Sequence, residues 1–182
     1  IEYYKGIFTI LSSCASRQLE EVTFRRTVIP VQELLDAAGK YFKKLIKNRP
    51  ERIELEIEPM EAKVIGDVNQ LRFLLENLID EALTVREDGV IRLQARKDNE
   101  YVRFLFTDTR REKSVEELNQ LFYPNLARMT SGEKGELRGT EYLVCKQIIR
   151  DHDEFAGRRG CRINAEPAEG GGFTVYFTIP RR

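Results

Sequence analysis

Gly66-Asp67-Val68-Asn69-Gln70-Leu71-Arg72-Phe73-Leu74-Leu75-Glu76-Asn77-Leu78-Ile79-Asp80-Glu81-Ala82 is the stretch whose reading decides the fold. Asp67 suits the position before a helix, where its carboxylate accepts from the orphan amides of the first turn. Leu71, Leu74, Leu75, Leu78, Ile79 and Ala82 recur at helical spacing and form one apolar face. Asn77 and Glu81 fall one turn apart on the same side, where two polar groups can meet a metal ion and a phosphate together.

Outward from this helix, the pattern alternates between the two secondary-structure periods. Residues 52–58 place Ile53, Leu55 and Ile57 on one face and charges on the other, which predicts a half-exposed strand. Residues 90–97 and 101–107 alternate similarly and are joined at Asp98 and Asn99, which predicts a hairpin. Helices are expected over 31–47, 115–122 and 140–151, a short extended segment over 27–30, and closing strands over 161–165 and 173–179 around Gly170-Gly171-Gly172. The sum is an α+β fold: a two-layer sandwich of helices on a mostly antiparallel mixed sheet. Ile1, Tyr4, Phe8, Leu11, Ala15, Leu19 and Val22 mark an N-terminal amphipathic helix, which packs either on its own domain or along a second copy as a dimer-forming coil.

Composition narrows the function classes. The 182 residues suit one domain plus an appended element, and 41% hydrophobic content supports a core. Thirty basic and thirty acidic residues cancel, so no global field favours nucleic acid or an anionic membrane. Cys14, Cys145 and Cys161 lack paired spacing, which suits reduced thiols in a cytoplasmic setting. No apolar run is long enough to span a bilayer. The chain opens at Ile1 without a methionine, so a piece of a longer protein is expected, cytoplasmic in this part, with a sensor or membrane segment upstream left open.

Asn77 to Ala82 resembles the N-x-x-x-N-A box of the GHKL ATPase superfamily, with Glu81 in place of the second Asn. Gly66-Asp67, this box, Asp108, Gly139 and Thr178-Ile179-Pro180 follow in the order found in the catalytic and ATP-binding domain of bacterial sensor histidine kinases. The resemblance covers residues 27–182 and makes residues 1–26 the end of a dimerisation and phosphotransfer helix. It implies ATP and magnesium as cofactors, with Asn77, Glu81, Asp108 and Gly139 at the nucleotide and Asn77 and Glu81 at magnesium. Asp108 would accept from the adenine amino group, although an Asp ending a strand also commonly starts a turn.

Several positions depart from that pattern. Glu81 adds a charge beside a triphosphate, and two unit charges about 4 Å apart at an effective dielectric near 20 interact by roughly 4 kcal/mol, which bound magnesium would partly offset. Thr84 and Val85 stand where the family carries a phosphate-binding cation and a base-contacting residue; Arg86 is the nearby substitute. Arg110 and Glu112 replace the glycines of D-x-G-x-G. Holding a side chain in the backbone conformation those glycines adopt costs on the order of 1 kcal/mol, and Arg110 has the bulk to fill the adenine mouth. Leu137-Arg138-Gly139-Thr140-Glu141-Tyr142 keeps only Gly139 of a glycine-rich phosphate cradle, and Glu141 competes with phosphate for a helix N-terminus. Gly132, Lys134, Gly135 and Arg138 belong to the lid, and Phe122-Tyr123-Pro124 resembles its start.

His152 is the single histidine, and the resemblance implies that it is not the phosphoacceptor, which would lie on a helix outside this chain. Arg158 and Arg159 lie in an extended turn, 153–160, and offer a basic pair to a partner. No catalytic residue is assigned. Two functions remain open: a degenerate, pseudokinase-like signalling scaffold with weakened or lost ATP binding, and an atypical but active Mg-ATP-dependent histidine kinase domain. The expected partners are a second copy through the N-terminal helix and a response regulator or other signalling protein.

Overall fold

The computed structural model describes residues 24–124, 130–131 and 137–182. The expected N-terminal helix therefore lies outside the described residues, apart from residues 24–26 at its end, which are not helical.

Alternation of side chains builds the sheet. β2 (Ile53–Ile57), β4 (Gly89–Asp98), β5 (Tyr101–Asp108), β8 (Ile163–Pro167) and β9 (Phe173–Pro180) assemble in the order β2-β4-β5-β9-β8. β2 runs parallel to β4, and every other pair is antiparallel. The central hairpin turns at Asn99, the one described non-glycine residue with positive φ, at 54°; asparagine tolerates this conformation because its short side chain can bond locally. Phe104 and Phe177 stack across β5 and β9 with ring centroids 4.8 Å apart and form the buried centre of the inner face.

Helices α1 (Val31–Ile46), α2 (Val68–Ala82) and α4 (Glu141–Phe155) contribute the other half of the core, while the five-residue α3 (Val115–Asn119) begins with Ser114 and Glu117 in a reciprocal capping box. Along α2, Leu71, Leu74, Leu75, Leu78 and Ile79 are buried as their spacing predicts. Asp67 caps this helix through Oδ1, which accepts from the amides of Asn69 and Gln70 at 3.0 and 3.1 Å. The two-layer α+β sandwich is thus present, with the parallel edge strand that makes the sheet mixed.

Differences from expectation cluster where pairing is non-local. Residues 63–66 carry no long alternation, yet β3 (Lys63–Gly66) forms because β1 (Thr27–Pro30) lies antiparallel to it. The two-residue strands β6 (Thr130–Ser131) and β7 (Leu137–Arg138) likewise depend on each other. α4 runs past residue 151 to Phe155, and the last hairpin begins at Ile163 rather than residue 161. The turn after α4 uses its basic pair internally. Arg158 donates to the Glu100 carbonyl at 3.0 Å, and Arg159 lies 3.3 Å from Asp153, whose other oxygen accepts from the amides of Gly160 and Cys161.

Candidate functional site

The C-terminal end of α2 and the C-terminal end of β5 meet at one point, and the sequence-selected residues gather there. α2 brings Asn77 and Glu81, and β5 ends in Asp108; all three are buried. Asn77 turns onto its own helix, where its amide nitrogen donates to the Phe73 carbonyl at 2.8 Å. Thr84 bonds the Glu81 carbonyl through its hydroxyl at 2.6 Å, closing the last turn. Arg86 points away from this point and pairs with Glu51 at 3.3 Å, so it is no substitute for the missing phosphate cation.

Arg110 organises the cluster. Its Nε and Nη2 lie 3.0 Å from the two Asp108 oxygens, in a side-by-side fork. Nη2 also donates to the Ala82 carbonyl at 2.6 Å, and Nη1 donates to the carbonyls of Val85 and Glu87 at 3.0 and 2.9 Å. Every N–H of the guanidinium is therefore used. Side-chain exposure is 1% for Arg110 and 2% for Asp108. One of these carbonyls ends α2 and the other two belong to the loop after it, so Arg110, just past β5, fastens the end of α2 and that loop to Asp108; α2 has no basic residue of its own in the last turn.

Two glycines make room for this arrangement. Gly89 has φ of 145°, and a Cβ there would lie 2.5 Å from Arg110 Cγ. Gly172 has φ of 83°, and its Cβ would overlap the Asp108 carbonyl oxygen and sit 2.7 Å from Thr109 Cα. The strain expected of Arg110 and Glu112 does not arise, because neither has positive φ. The loop has been rebuilt around the arginine rather than bent like a glycine loop.

Arg111 was not singled out from the sequence, although a second arginine beside a strand-ending Asp was its visible signal. Nη2 lies 3.9 Å from Glu81 and Nε 3.5 Å from Asp108, at ion-pair rather than hydrogen-bond range, and the guanidinium stands 5.7 Å from the Phe173 ring centroid. Glu81 and Asp108 are thus matched by Arg111 and Arg110. The charge that Glu81 adds is faced by a side chain of the same domain.

On the far wall, Gly139 keeps φ of 82° before α4, where Thr140 makes no side-chain cap. Glu141 stands in the first turn with one buried, unbonded carboxylate oxygen. Phe122 packs edge-on against Tyr142 with centroids 5.7 Å apart, so it belongs to the core. Gly132, Lys134 and Gly135 lie outside the described residues. Among the described residues, no group of three or more His, Cys, Asp or Glu side chains could hold a metal ion.

His152 sits at the opposite end of α2, fully buried. Nδ1 donates to the Ile148 carbonyl at 2.8 Å, which leaves Nε2 to accept from the Asp67 amide at 3.1 Å. Burial holds its pKa below the ordinary value, against the opposing hydrogen bond to Ile148 and the carboxylates of Asp67 and Asp151. Phe24 meets the ring edge-on at 4.7 Å, and the Arg25 amide donates to Asp67 Oδ2 at 2.9 Å. The segment entering from upstream is thereby fastened to the cap of α2.

Residues 66–182 match the family model described as histidine kinase-, DNA gyrase B-, and HSP90-like ATPase. The chain belongs to that ATPase family. No curated protein shows significant sequence similarity to it. Among solved structures, the nucleotide-free catalytic domain of the histidine kinase ThkA is 22% identical, with a TM-score of 0.66 over 86% of this chain and 97% of that one. The mycobacterial sensor histidine kinase MprB is 18% identical, with a TM-score of 0.67 over 87% of this chain and 99% of that one. ThkA in complex with the response regulator TrrA is 20% identical, with a TM-score of 0.66 over 98% of this chain and 49% of that one. The fold is that of histidine kinase catalytic domains. Within this ATPase family fold, Arg110 joins Asp108 to Ala82 at the end of α2. No helix among the described residues is long and apolar enough to cross a membrane.

Proposed function

We propose that this chain is the ATPase-like domain of a two-component signalling protein in which ATP binding is weakened or lost, and that it acts as a pseudokinase-like scaffold. The observation that carries this reading is the seat of Arg110. Asp108, the residue expected to hold the adenine amino group, has both carboxylate oxygens engaged by the Arg110 guanidinium. A base entering there must displace a fully bonded, buried cation, and the freed charge would then need a new partner. The residues present do not fit Mg-ATP well for two further reasons. Glu81 faces Arg111 in place of a metal. Glu141 puts a carboxylate at the helix N-terminus where the family would receive phosphate.

In this reading residues 1–26 belong to a dimerising helix, residues 27–182 form the ATPase-like domain, and the domain works in the cytoplasm with a response regulator or other signalling protein. ThkA, solved with TrrA, provides a fold precedent for such a partner. A second reading, an active but atypical histidine kinase domain phosphorylating a histidine outside this chain, is favoured by Gly139, which retains positive φ at the entry to α4.

Calorimetric titration of the purified chain with Mg-ATP and Mg-ADP separates the two. The scaffold predicts no heat and no thermal shift at millimolar nucleotide. Micromolar binding that Asp108→Ala abolishes would overturn it and establish the second reading.

A further inference from the structure

β2 is an edge strand, and among the described residues no strand lies on its far side. Its pairing with β4 shows which backbone groups are free. The Gly89 amide donates to the Arg52 carbonyl, and the Glu58 amide donates to the Leu93 carbonyl. In a parallel ladder the alternation then assigns the amides and carbonyls of residues 54 and 56 to β4 as well, and turns those of Ile53, Leu55 and Ile57 outward. This outward row faces a groove of about 750 Å³ between β2 and α1, lined on the apolar side by Leu35, Phe42, Ile46, Leu55 and Ile57. Leu55 and Ile57 are only half-buried there. Gly39 on α1 keeps the groove floor low, with Ile57 Cδ1 3.2 Å from where its Cβ would be.

The outer face of the sheet carries a charge pattern that a further strand would continue. β2 presents Glu54 and Glu56 outward, both exposed, and β4 answers with Arg92, whose Nε lies 3.1 Å from Glu56. A strand added beyond β2 would meet the same two glutamates from the other side. Its outward residues would be basic, and its inward residues apolar where they cover Leu55 and Ile57. Across the groove, Asp36, Lys40 and Lys43 on α1 line the rim and are exposed.

We propose that β2 is a docking edge for an extended peptide segment of alternating apolar and basic residues, which adds as a sixth strand between β2 and α1. Backbone hydrogen bonds to Leu55 and Ile57 supply the binding, since Ile53 is buried, and Glu54 and Glu56 select the basic face. This surface is separate from the Arg110 cluster and does not depend on whether nucleotide binds.

The test uses the full chain and a short synthetic peptide of alternating valine and arginine, followed by amide hydrogen exchange and chemical-shift change. The expected result is slowed exchange at the amides of Leu55 and Ile57 with little change at residues 54 and 56, which already bond to β4. A valine–glutamate peptide should bind about tenfold more weakly, and the Glu54→Lys, Glu56→Lys double variant should reverse that preference. The valine–arginine peptide N-methylated at every second residue should not bind. Absence of binding, binding without the odd-residue amide pattern, or equal binding of the acidic peptide would overturn the proposal and leave Glu54 and Glu56 as charges that keep the edge from pairing.

Discussion

Arg110 and Asp108, two residues apart at the end of β5, form a bidentate pair with Nε–Oδ1 and Nη2–Oδ2 distances of 3.0 Å and almost no exposure to water. The pair ties the end of the sheet to the end of α2, because the same guanidinium also caps the carbonyls of Ala82, Val85 and Glu87. It is a structural joint at the place where the family resemblance expects a ligand.

Removing one partner of this joint strands the other. Arg110→Ala leaves the buried Asp108 carboxylate with only Arg111 at 3.5 Å and a backbone amide, removes the side-chain donor from three carbonyls, and should destabilise the chain by about 3 kcal/mol in urea unfolding. Combining it with Asp108→Ala should cost clearly less than the sum of the single changes, since each removes the other's reason to be buried. Additive losses would show that the two side chains act independently.

The His152 latch predicts a specific pH response. Its folded pKa is lowered, so the neutral ring contributes stability that is fully present above the unfolded value of about 6.5 and is lost progressively as pH falls from there toward the folded value. A protonated ring would turn Nε2–H against the Asp67 amide. Unfolding free energy measured between about pH 7.5 and 5.5 should fall by at most about 1.4 kcal/mol per pH unit from this group, and His152→Gln should flatten the slope. An unchanged slope in the variant would show that other groups set the response.

Glycines 170 and 172 separate strain from collision. Gly170 has φ of 89° with nothing within 4 Å of an added Cβ, so Gly170→Ala should cost on the order of 1 kcal/mol from backbone conformation alone. Gly172→Ala drives a methyl into the backbone of Asp108 and should cost on the order of 3 kcal/mol or more in the same unfolding assay. Similar losses at the two sites would contradict the close approach of β9 to the end of β5.

Both described thiols should be inert in the native chain. Burial pushes the Cys145 and Cys161 thiols up, Cys161 to about 12, and Cys145 also lies 3.6 Å from the Leu74 carbonyl. Alkylation at neutral pH followed by mass spectrometry should leave both unmodified until denaturant is added.

Much of the fold was legible because it rests on local periodicity. The Asp67 cap, the Leu71–Ile79 face and the hairpin through Asn99 depend on neighbours within a few residues, and the structure has all three. β3 was not legible, since its four residues become a strand only when β1, distant in sequence, lies beside them. At the candidate site, the positions of Asn77, Glu81 and Asp108 were visible, but their partners were not. Arg111 facing Glu81, and Arg86 turned toward Glu51, depend on how β5 and α2 approach each other.

The sequence alone determined that helices of 3.6-residue period cover an alternating sheet, and that glycines are missing where a nucleotide loop would have them. The tertiary structure decided what replaced them. An arginine's long side chain can either extend into solvent or fold back, and Asp108, its one local partner, does not by itself bury it. The choice is made by Asp108 on one side and the carbonyls of Ala82, Val85 and Glu87 on the other, which converge only after the sheet and helix have packed. Their combined hydrogen bonds offset the cost of burying the charge, and so Arg110 folds back onto Asp108 and the end of α2.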